Sequence, residues 1–418
     1  MAAGGVQECI RRVESRMNEW RNVSINIAVI GSSGVGKSSL VNAIRGLTAE
    51  DEGAAPVGFV QTTMVCRSYP HPNNPKLILW DLPGAGTQSC PRETYLSAIN
   101  VDRYDFFLLI TGDRFTQDDM WLGNEFRNRN KKYYFVRTKI DLDVYNDQRS
   151  YPSTHNEEAV IESIRRSTKD HLRANGFPDV PVFLIDNYEP GRFDLENLKH
   201  RVIIDAPEWI RSALVLSLQP TSEAMIRLKV NELRSRIWKY ALLSGLEGAI
   251  PIPSLAVTIV VEKEVEFYMK QLHIDNDSLQ RYADLYSVNI NGMQAIVHRE
   301  LESNRSGAVM MGGMKATLLA LAVGIPPSSN VLKVLKILLS VMGVVIAWPA
   351  AYKRTYTTLT SVLDKCEQIA LAIIGYIAVS VATAHAVGTD QSSNDAQSTG
   401  TFGVEELRIS SSSSSSSP

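Results

Sequence analysis

The stretch Ile25-Asn26-Ile27-Ala28-Val29-Ile30-Gly31-Ser32-Ser33-Gly34-Val35-Gly36-Lys37-Ser38-Ser39-Leu40-Val41-Asn42-Ala43-Ile44-Arg45 decides the fold. Ile25–Ile30 is a short apolar run, the length and content of a buried strand. Gly31 to Ser38 match the pattern GxxxxGK[ST], and Ser39–Arg45 reads as the helix that follows. Strand, glycine-rich loop and helix in that order make a cradle for phosphate. Glycines let the backbone approach the oxygens, its N–H groups turn inward, and the helix N-terminus adds a favourable field. Lys37 is placed to bridge the β- and γ-phosphates, and the Ser38 hydroxyl to ligate Mg²⁺. Ser39 completes the loop contacts. The bland alternative, a Gly-Ser turn, accounts for neither flank.

Working outward, short apolar runs recur at Leu77–Trp80, Phe106–Thr111, Tyr133–Val136 and Val182–Ile185, separated by periodic or polar segments. That alternation predicts a mostly parallel sheet with helices on both faces. Thr154 and Glu157 resemble a capping box opening a helix to about Asn175, with Gly176 to terminate it. After about residue 204 the rhythm becomes helical: Ile226, Val230, Leu233, Ile237 and Ala241 lie at helical spacing among charged residues. We therefore divide the chain into an N-terminal helix at 1–22 that packs with the helical domain, a nucleotide-binding domain at 23–203, an all-α helical domain at 204–387, and a Ser-rich tail at 388–418. The N-terminal helix carries Val6, Ile10, Val13, Met17 and Trp20 on one side. The tail ends in an unbroken serine run and is expected to be disordered.

Three further elements define the ligand. Leu77-Ile78-Leu79-Trp80-Asp81-Leu82-Pro83-Gly84 delivers Asp81 at a strand end, where it can hold the metal or a metal-bound water; Gly84 can offer its N–H to the γ-phosphate. Thr138-Lys139-Ile140-Asp141 follows the run at 133–136. The Asp141 carboxylate can accept from the two donors of guanine, N1–H and the 2-amino group, which adenine does not present together. Lys139 can cover the base with its stem. In Val60-Gln61-Thr62-Thr63-Met64, Thr63 is the candidate to reach Mg²⁺ and sense the γ-phosphate, with Thr62 beside it; two β-branched residues opening a strand are the alternative. Asp186 and Asn187, after the last run, can also touch guanine. The expected ligands are thus GTP or GDP with Mg²⁺. Lys37, Thr63 and Gly84 are the candidate catalytic groups, and Ser38, Thr63 and Asp81 the candidate metal ligands. In many GTPases a glutamine follows the glycine of the Asp-x-x-Gly element and orients the attacking water. Here that residue is Ala85, and neither Arg92 nor Arg114 is marked by sequence as a replacement.

Composition narrows the partners. The chain has 418 residues, with 43 Lys plus Arg against 45 Asp plus Glu and a net charge of −2. A protein that grips nucleic-acid phosphates usually shows a basic excess, so nucleic acid is not an expected partner. Cys9, Cys66, Cys90 and Cys366 are far apart in sequence and read as reduced thiols. The first twenty residues lack a signal-peptide apolar stretch, and the second residue is Ala, not the glycine of a myristoyl anchor. Ile369–Val387 carries no formal charge over its length, but alanine dilutes it and Ser380, Thr383 and His385 interrupt it. It and Val331–Ala351 are read as buried core helices rather than membrane spans.

The sequence resembles the immunity-related GTPases, the interferon-inducible p47-type family, over roughly residues 5–390. The likeness rests on GSSGVGKSSLVNAIRGL at 31–47, APVGFVQTTM at 55–64, LILWDLPGAGT at 77–87, YDFFLLI at 104–110, YYFVRTKID at 133–141 and GLEGAIPIPSLAV at 245–257. Lys37 places the chain with the lysine-bearing subgroup. The resemblance implies an α/β P-loop GTPase domain plus an all-α helical domain and GTP hydrolysis with a dynamin-like habit. It also implies GTP-dependent assembly with itself or related GTPases, and cell-autonomous innate defence from the cytoplasm, with peripheral association to intracellular membranes. Lysine-type relatives commonly carry an acid after the Thr-Met pair, implicated in hydrolysis; here Val65 stands there. That leaves two readings, a hydrolysing enzyme and a nucleotide-binding switch with negligible turnover. The third, a structural membrane protein with a vestigial nucleotide domain, conflicts with intact Lys37, Ser38, Asp81 and Asp141.

Overall fold

The computed structural model of the chain describes residues 18–58, 66–86, 90–189, 191–247, 255–302 and 348–398, together with Arg11 and Ser15. Six strands form one sheet: β1 (Ile25–Gly31), β2 (Arg67–His71), β3 (Asn74–Asp81), β4 (Phe106–Thr111), β5 (Lys132–Arg137) and β6 (Val182–Leu184), in the spatial order β2-β3-β1-β4-β5-β6. All neighbours are parallel except β2, which returns antiparallel beside β3 at the sheet edge. The apolar runs read from the sequence are the five parallel strands. β2 carries no such run: Arg-Ser-Tyr-Pro-His is polar, and its Pro70 is tolerated because an edge strand need not donate every N–H.

Helices cover both faces. After β1 comes α1 (Lys37–Arg45), followed by α2 (Arg92–Ala98), α3 (Gln117–Asn128), α4 (Ile140–Ser150), α5 (Glu157–Ala174), α6 (Leu195–Asp205) and α7 (Glu208–Ser217). The pleat of β1 divides its side chains. Ile25, Ile27 and Val29 join Leu40, Val41 and Ile44 of α1 with α6 and α7, while Ala28 and Ile30 join Phe107, Leu109 and Phe126 on the other face. The long amphipathic helix opens later than Thr154. Asn156 caps α5, its Oδ1 accepting from the Ala159 N–H at 2.9 Å. An amide oxygen one residue ahead of the first helical residue reaches the third N–H of the helix, which Thr154 cannot.

The remaining described helices are α8 (Glu223–Glu247), α9 (Leu255–Gln271), α10 (Asn276–Tyr286), α11 (Ile290–Glu302) and α12 (Trp348–Ser398). The expected stripe on α8, Ile226, Val230, Leu233, Ile237 and Ala241, is buried, and along α12 so are Leu359, Val362, Leu363, Cys366, Ile369, Ala370, Ile373 and Ile377. Arg234 of α8 pairs with Asp364 of α12 at 2.6 Å. By length and composition Thr355–Thr383 can cross a membrane, with a mean hydropathy of 1.6; 28% of its most apolar window is buried. α12 continues to Ser398, past residue 388 where composition alone begins the tail. A formed helix extends at little cost per residue even through poor formers. Residues 399–418 lie outside the described residues, as do 331–347 and most of 1–17. Of the N-terminal segment, Trp20 is buried, its ring 6.5 Å from that of Phe267 on α9.

Candidate functional site

Register brings the sequence motifs together. Val29 pairs with Asp81, Gly31 with Ile110, and Thr111 with Arg137, which pairs in turn with Leu184. The C-terminal ends of five parallel strands therefore emerge along one edge. β1 sits where the strand order reverses, the place at which open α/β sheets hold ligands. From that edge rise the loop after β1, Asp81 through Gly84 after β3, Thr138 through Asp141 after β5, and Asp186 and Asn187 after β6.

The loop closes onto α1. Gly36 caps the helix in the left-handed region, φ 90°, and a Cβ there would stand 2.9 Å from Nδ2 of Asn187. Lys37 is buried and its Nζ donates to the Ser32 carbonyl at 3.0 Å. Burial lowers its pKa, and the nearby Asp81 carboxylate partly opposes that shift. Ser38 Oγ donates to Asp81 Oδ2 at 2.7 Å. A hydroxyl and a carboxylate side by side are hard oxygen donors, the set that suits Mg²⁺, so these two residues fit the ion. Gly84 lies against the loop: a Cβ on it would be 3.1 Å from the Gly31 carbonyl oxygen. Ser32, Ser33 and Gly34 are exposed, Val35 is half-buried and Ser39 is buried on the first turn of α1.

The base-side residues divide into two kinds. Asp141 is half-buried in the first turn of α4, and Lys139 is exposed with its stem over Gly112. Asp186 is buried, and its Oδ1 accepts from the Tyr188 N–H at 2.8 Å. Burial, with Asp141 and Glu189 adding to it, pushes its pKa up to about 6. Thr138 and Asn187 instead face the phosphate loop. The fully buried Thr138 hydroxyl donates to the Val35 carbonyl at 2.6 Å, and Asn187 Nδ2 donates to the Gly36 carbonyl at 3.1 Å.

Two contributors went unread in the sequence. Asn42 on α1 uses both amide atoms on Ala55, accepting from its N–H at 2.7 Å and donating to its carbonyl at 2.9 Å. Arg45 donates to the carbonyls of Pro70 and Gly53, both at 3.0 Å. The helix that begins with Lys37 and Ser38 thus holds the backbone on both sides of the segment bearing Thr62, Thr63 and Val65, which lie outside the described residues. Their marks in the sequence, polar residues set among Leu40, Val41, Ala43 and Ile44, name no partner. Near Gly84, Ala85 is buried and Arg92 is paired with Asp118 at 2.5 Å. Arg114 is exposed, its carbonyl accepting from Thr111 Oγ1 at 2.9 Å.

The chain is similar to known proteins. The sequence model of the family "Interferon-inducible GTPase (IIGP)" matches residues 1–320. The chain is 36% identical over 307 residues to "Interferon-inducible GTPase 5" of Rattus norvegicus, an alignment covering 73% of this chain and 66% of the rat protein, just under two thirds of its length. It is 33% identical over 300 residues to "Interferon-inducible GTPase 1" of Mus musculus, covering 71% of this chain and 73% of that protein. Among solved structures, a probable GTP-binding protein engB is 18% identical with a TM-score of 0.28, covering 44% of this chain and 98% of that one. With the family match over residues 1–320 and the P-loop, Asp-x-x-Gly and Thr-Lys-x-Asp elements converging on one sheet edge, the chain belongs to the interferon-inducible GTPase family, a family of GTP hydrolases.

Proposed function

We propose that this chain binds GTP at the sheet edge, hydrolyses it to GDP and phosphate, and couples that cycle to self-association and action at intracellular membranes in innate defence. The observation that carries the reading is the 2.7 Å hydrogen bond from Ser38 to Asp81, which joins the phosphate loop to the Asp-x-x-Gly element beside buried Lys37. In this reading Lys37 exchanges the Ser32 carbonyl for phosphate oxygens. Gly84 offers its N–H to the γ-phosphate, and Asp141 reads guanine. Ser38 and Asp81 would hold Mg²⁺, with Thr63 joining them; when bound, the ion neutralises charge on the β- and γ-oxygens.

Among the described residues, means of activating water are sparse. Ala85 presents a buried methyl group after Gly84, and Arg92 is engaged by Asp118. A single copy therefore turns over slowly, and a second copy packed across the nucleotide supplies what is missing. The same two residues favour the second reading, a nucleotide-binding switch with negligible hydrolysis.

One experiment separates them. Purified full chain is titrated with fluorescent GDP and GTP analogues, and phosphate release is followed over a hundredfold range of protein concentration, with anionic liposomes sedimented from the same samples. Binding, specific activity that rises with concentration, and more sedimentation with GTP than with GDP are expected. Binding without phosphate release at any concentration leaves the switch; equal sedimentation in both states sinks the membrane reading.

A further inference from the structure

Thr138 and Asn187 come from the ends of two strands far along the chain, yet both spend side-chain hydrogen bonds on consecutive carbonyls of the phosphate loop, those of Val35 and Gly36. A trans peptide is planar, and its C=O and N–H point in opposite directions. Holding the Val35 carbonyl outward therefore turns the Gly36 N–H to the other side, and holding the Gly36 carbonyl turns the Lys37 N–H likewise. Those are the N–H groups at the helix N-terminus, on the side where a phosphate is received.

The Gly36 carbonyl accepts twice, from the Leu40 N–H at 2.9 Å along the helix and from Asn187 Nδ2 at 3.1 Å across the sheet edge. The helix bond alone leaves the loop peptide free to rock about the helix axis; the second bond, from another direction, removes that freedom. Among the described residues, the Gly36 carbonyl is the hydrogen-bond partner of the Asn187 amide. Its own loop is braced by other groups: the Asp186 carboxylate holds the Tyr188 N–H, the Ile185 N–H bonds the Arg137 carbonyl at 2.8 Å, and Asp194 Oδ2 accepts from the Leu184 N–H at 3.0 Å. Asn187 Oδ1 is buried with no partner among the described residues. Contact is also close in the other direction: a Cβ at position 36 would stand 2.9 Å from Nδ2, and the φ of 90° there already disfavours any side chain.

We propose that Asn187 is a positioning residue of the nucleotide site: through the Gly36 carbonyl it fixes the peptide dipole that presents the Lys37 N–H to phosphate, so that the base-side loop preorganises the phosphate loop. This rests on the reading of residues 31–38 as the phosphate cradle. The dipole faces phosphates common to GDP and GTP, so the tie acts on both nucleotides alike and not on the hydrolytic step.

The test compares Asn187→Ala and Asn187→Asp with the unaltered full chain, using fluorescent mant-GDP and a non-hydrolysable mant-GTP analogue, phosphate release at saturating GTP, and thermal melting without nucleotide. Asn187→Asp keeps shape and size but sets an acceptor against the Gly36 carbonyl. Both variants should bind both nucleotides about fivefold to twentyfold more weakly, by the same factor for each. The rate at saturating GTP should fall by a smaller factor than the affinity, and the nucleotide-free melting temperature should stay close to that of the unaltered chain. Affinities within about twofold of the unaltered chain, a loss confined to GTP, an Asn187→Asp variant that binds normally, or nucleotide-free variants that are unfolded would each overturn the proposal. Lys37→Ala serves as the control for the underlying reading. If the unaltered chain fails to bind, or Lys37→Ala binds as it does, the cradle assignment itself falls, a result distinct from a failure at Asn187 alone.

Discussion

At Asp141 the proposed choice of base turns on what one side chain can accept. A carboxylate receives two N–H donors; an amide receives one and offers one. Asp141→Asn should therefore weaken GTP and favour XTP, whose 2-oxo group accepts. In a dry site such a mismatch is worth ~10⁴ in discrimination. Asp141 is half-buried, so a switch in preference of ~10² is expected with water present. Competition of the two nucleotides against mant-GDP measures it, and a variant that still prefers guanine would show that Asp141 does not read the base. Beside it, burial first, and then the neighbouring Asp141 and Glu189, push the Asp186 pKa up to about 6. Its carboxylate serves the Tyr188 N–H, a local turn, while Asn187 reaches away.

Among the elements, α1 carries more than the first turn proposed to receive phosphate. Asn42 and Arg45, one and two turns on, hold the chain at Gly53, Ala55 and Pro70. Asn42→Ala leaves a buried N–H and a buried carbonyl of Ala55 without their partner, which should cost ~2 kcal/mol or more of unfolding free energy. Urea denaturation of the nucleotide-free chain checks this, and a loss under ~0.5 kcal/mol would mean water replaces the amide. None of these ties is legible in sequence. Ile25–Gly31, the loop and α1 are contiguous, so their pattern alone declares a strand, a phosphate loop and a helix. Asn42 to Ala55, Thr138 to Val35 and Asn187 to Gly36 join residues that only the finished fold makes neighbours. Sequence marked Thr138 and Asn187 as belonging to the site, but not the atoms they hold. β2 was missed for a different reason: a short polar edge strand gains its pairing from β3 and needs no apolar signature. Thr154 failed as a cap because a competing Asn two residues on makes the better bond.

Over the whole molecule, a group of buried polar side chains lies beside the apolar contact between the nucleotide-binding part and the helical part. Asn74 of β3 donates to Ser217 Oγ at 2.9 Å. Lys229 of α8 is fully buried and donates to Gln271 Oε1 at 3.0 Å. His71 at the end of β2 and His273 after α9 are buried nearby. Burial, aided by Lys229, Lys199 and Arg45, depresses His71 to about 3; burial, with Lys229, Arg281, His71 and Lys199, depresses His273; burial alone brings Lys229 to about 7. All three folded values lie below the unfolded ones. The stability they contribute is therefore present above the unfolded pKa and is lost as pH falls: from 10.5 toward about 7 for Lys229, and from 6.5 toward about 3 for His71. Melting temperature should drop between pH 7.5 and pH 5, and His71→Gln, which cannot gain a charge, should show a shallower drop. An unchanged slope in that variant would acquit His71.

The apolar cluster on the α1 face of the sheet does not stop at residue 204. It runs from Ile25 and Val29 through Leu198, Ile210 and Leu214 to Ile226, Leu233, Tyr268 and Ile373 without a break. Between two separable bodies one expects a polar, wet boundary that heat opens first. Here the hydrocarbon is shared, so neither half can melt and leave the other's surface covered. Heating the nucleotide-free chain should give one calorimetric endotherm whose measured and van't Hoff enthalpies agree; two resolved peaks would mean the shared cluster couples the halves too weakly to melt them together. A chain that melts in one step has no half-unfolded form for a protease to trim, and a fragment ending near residue 204 would be born with the α1 side of its core facing water.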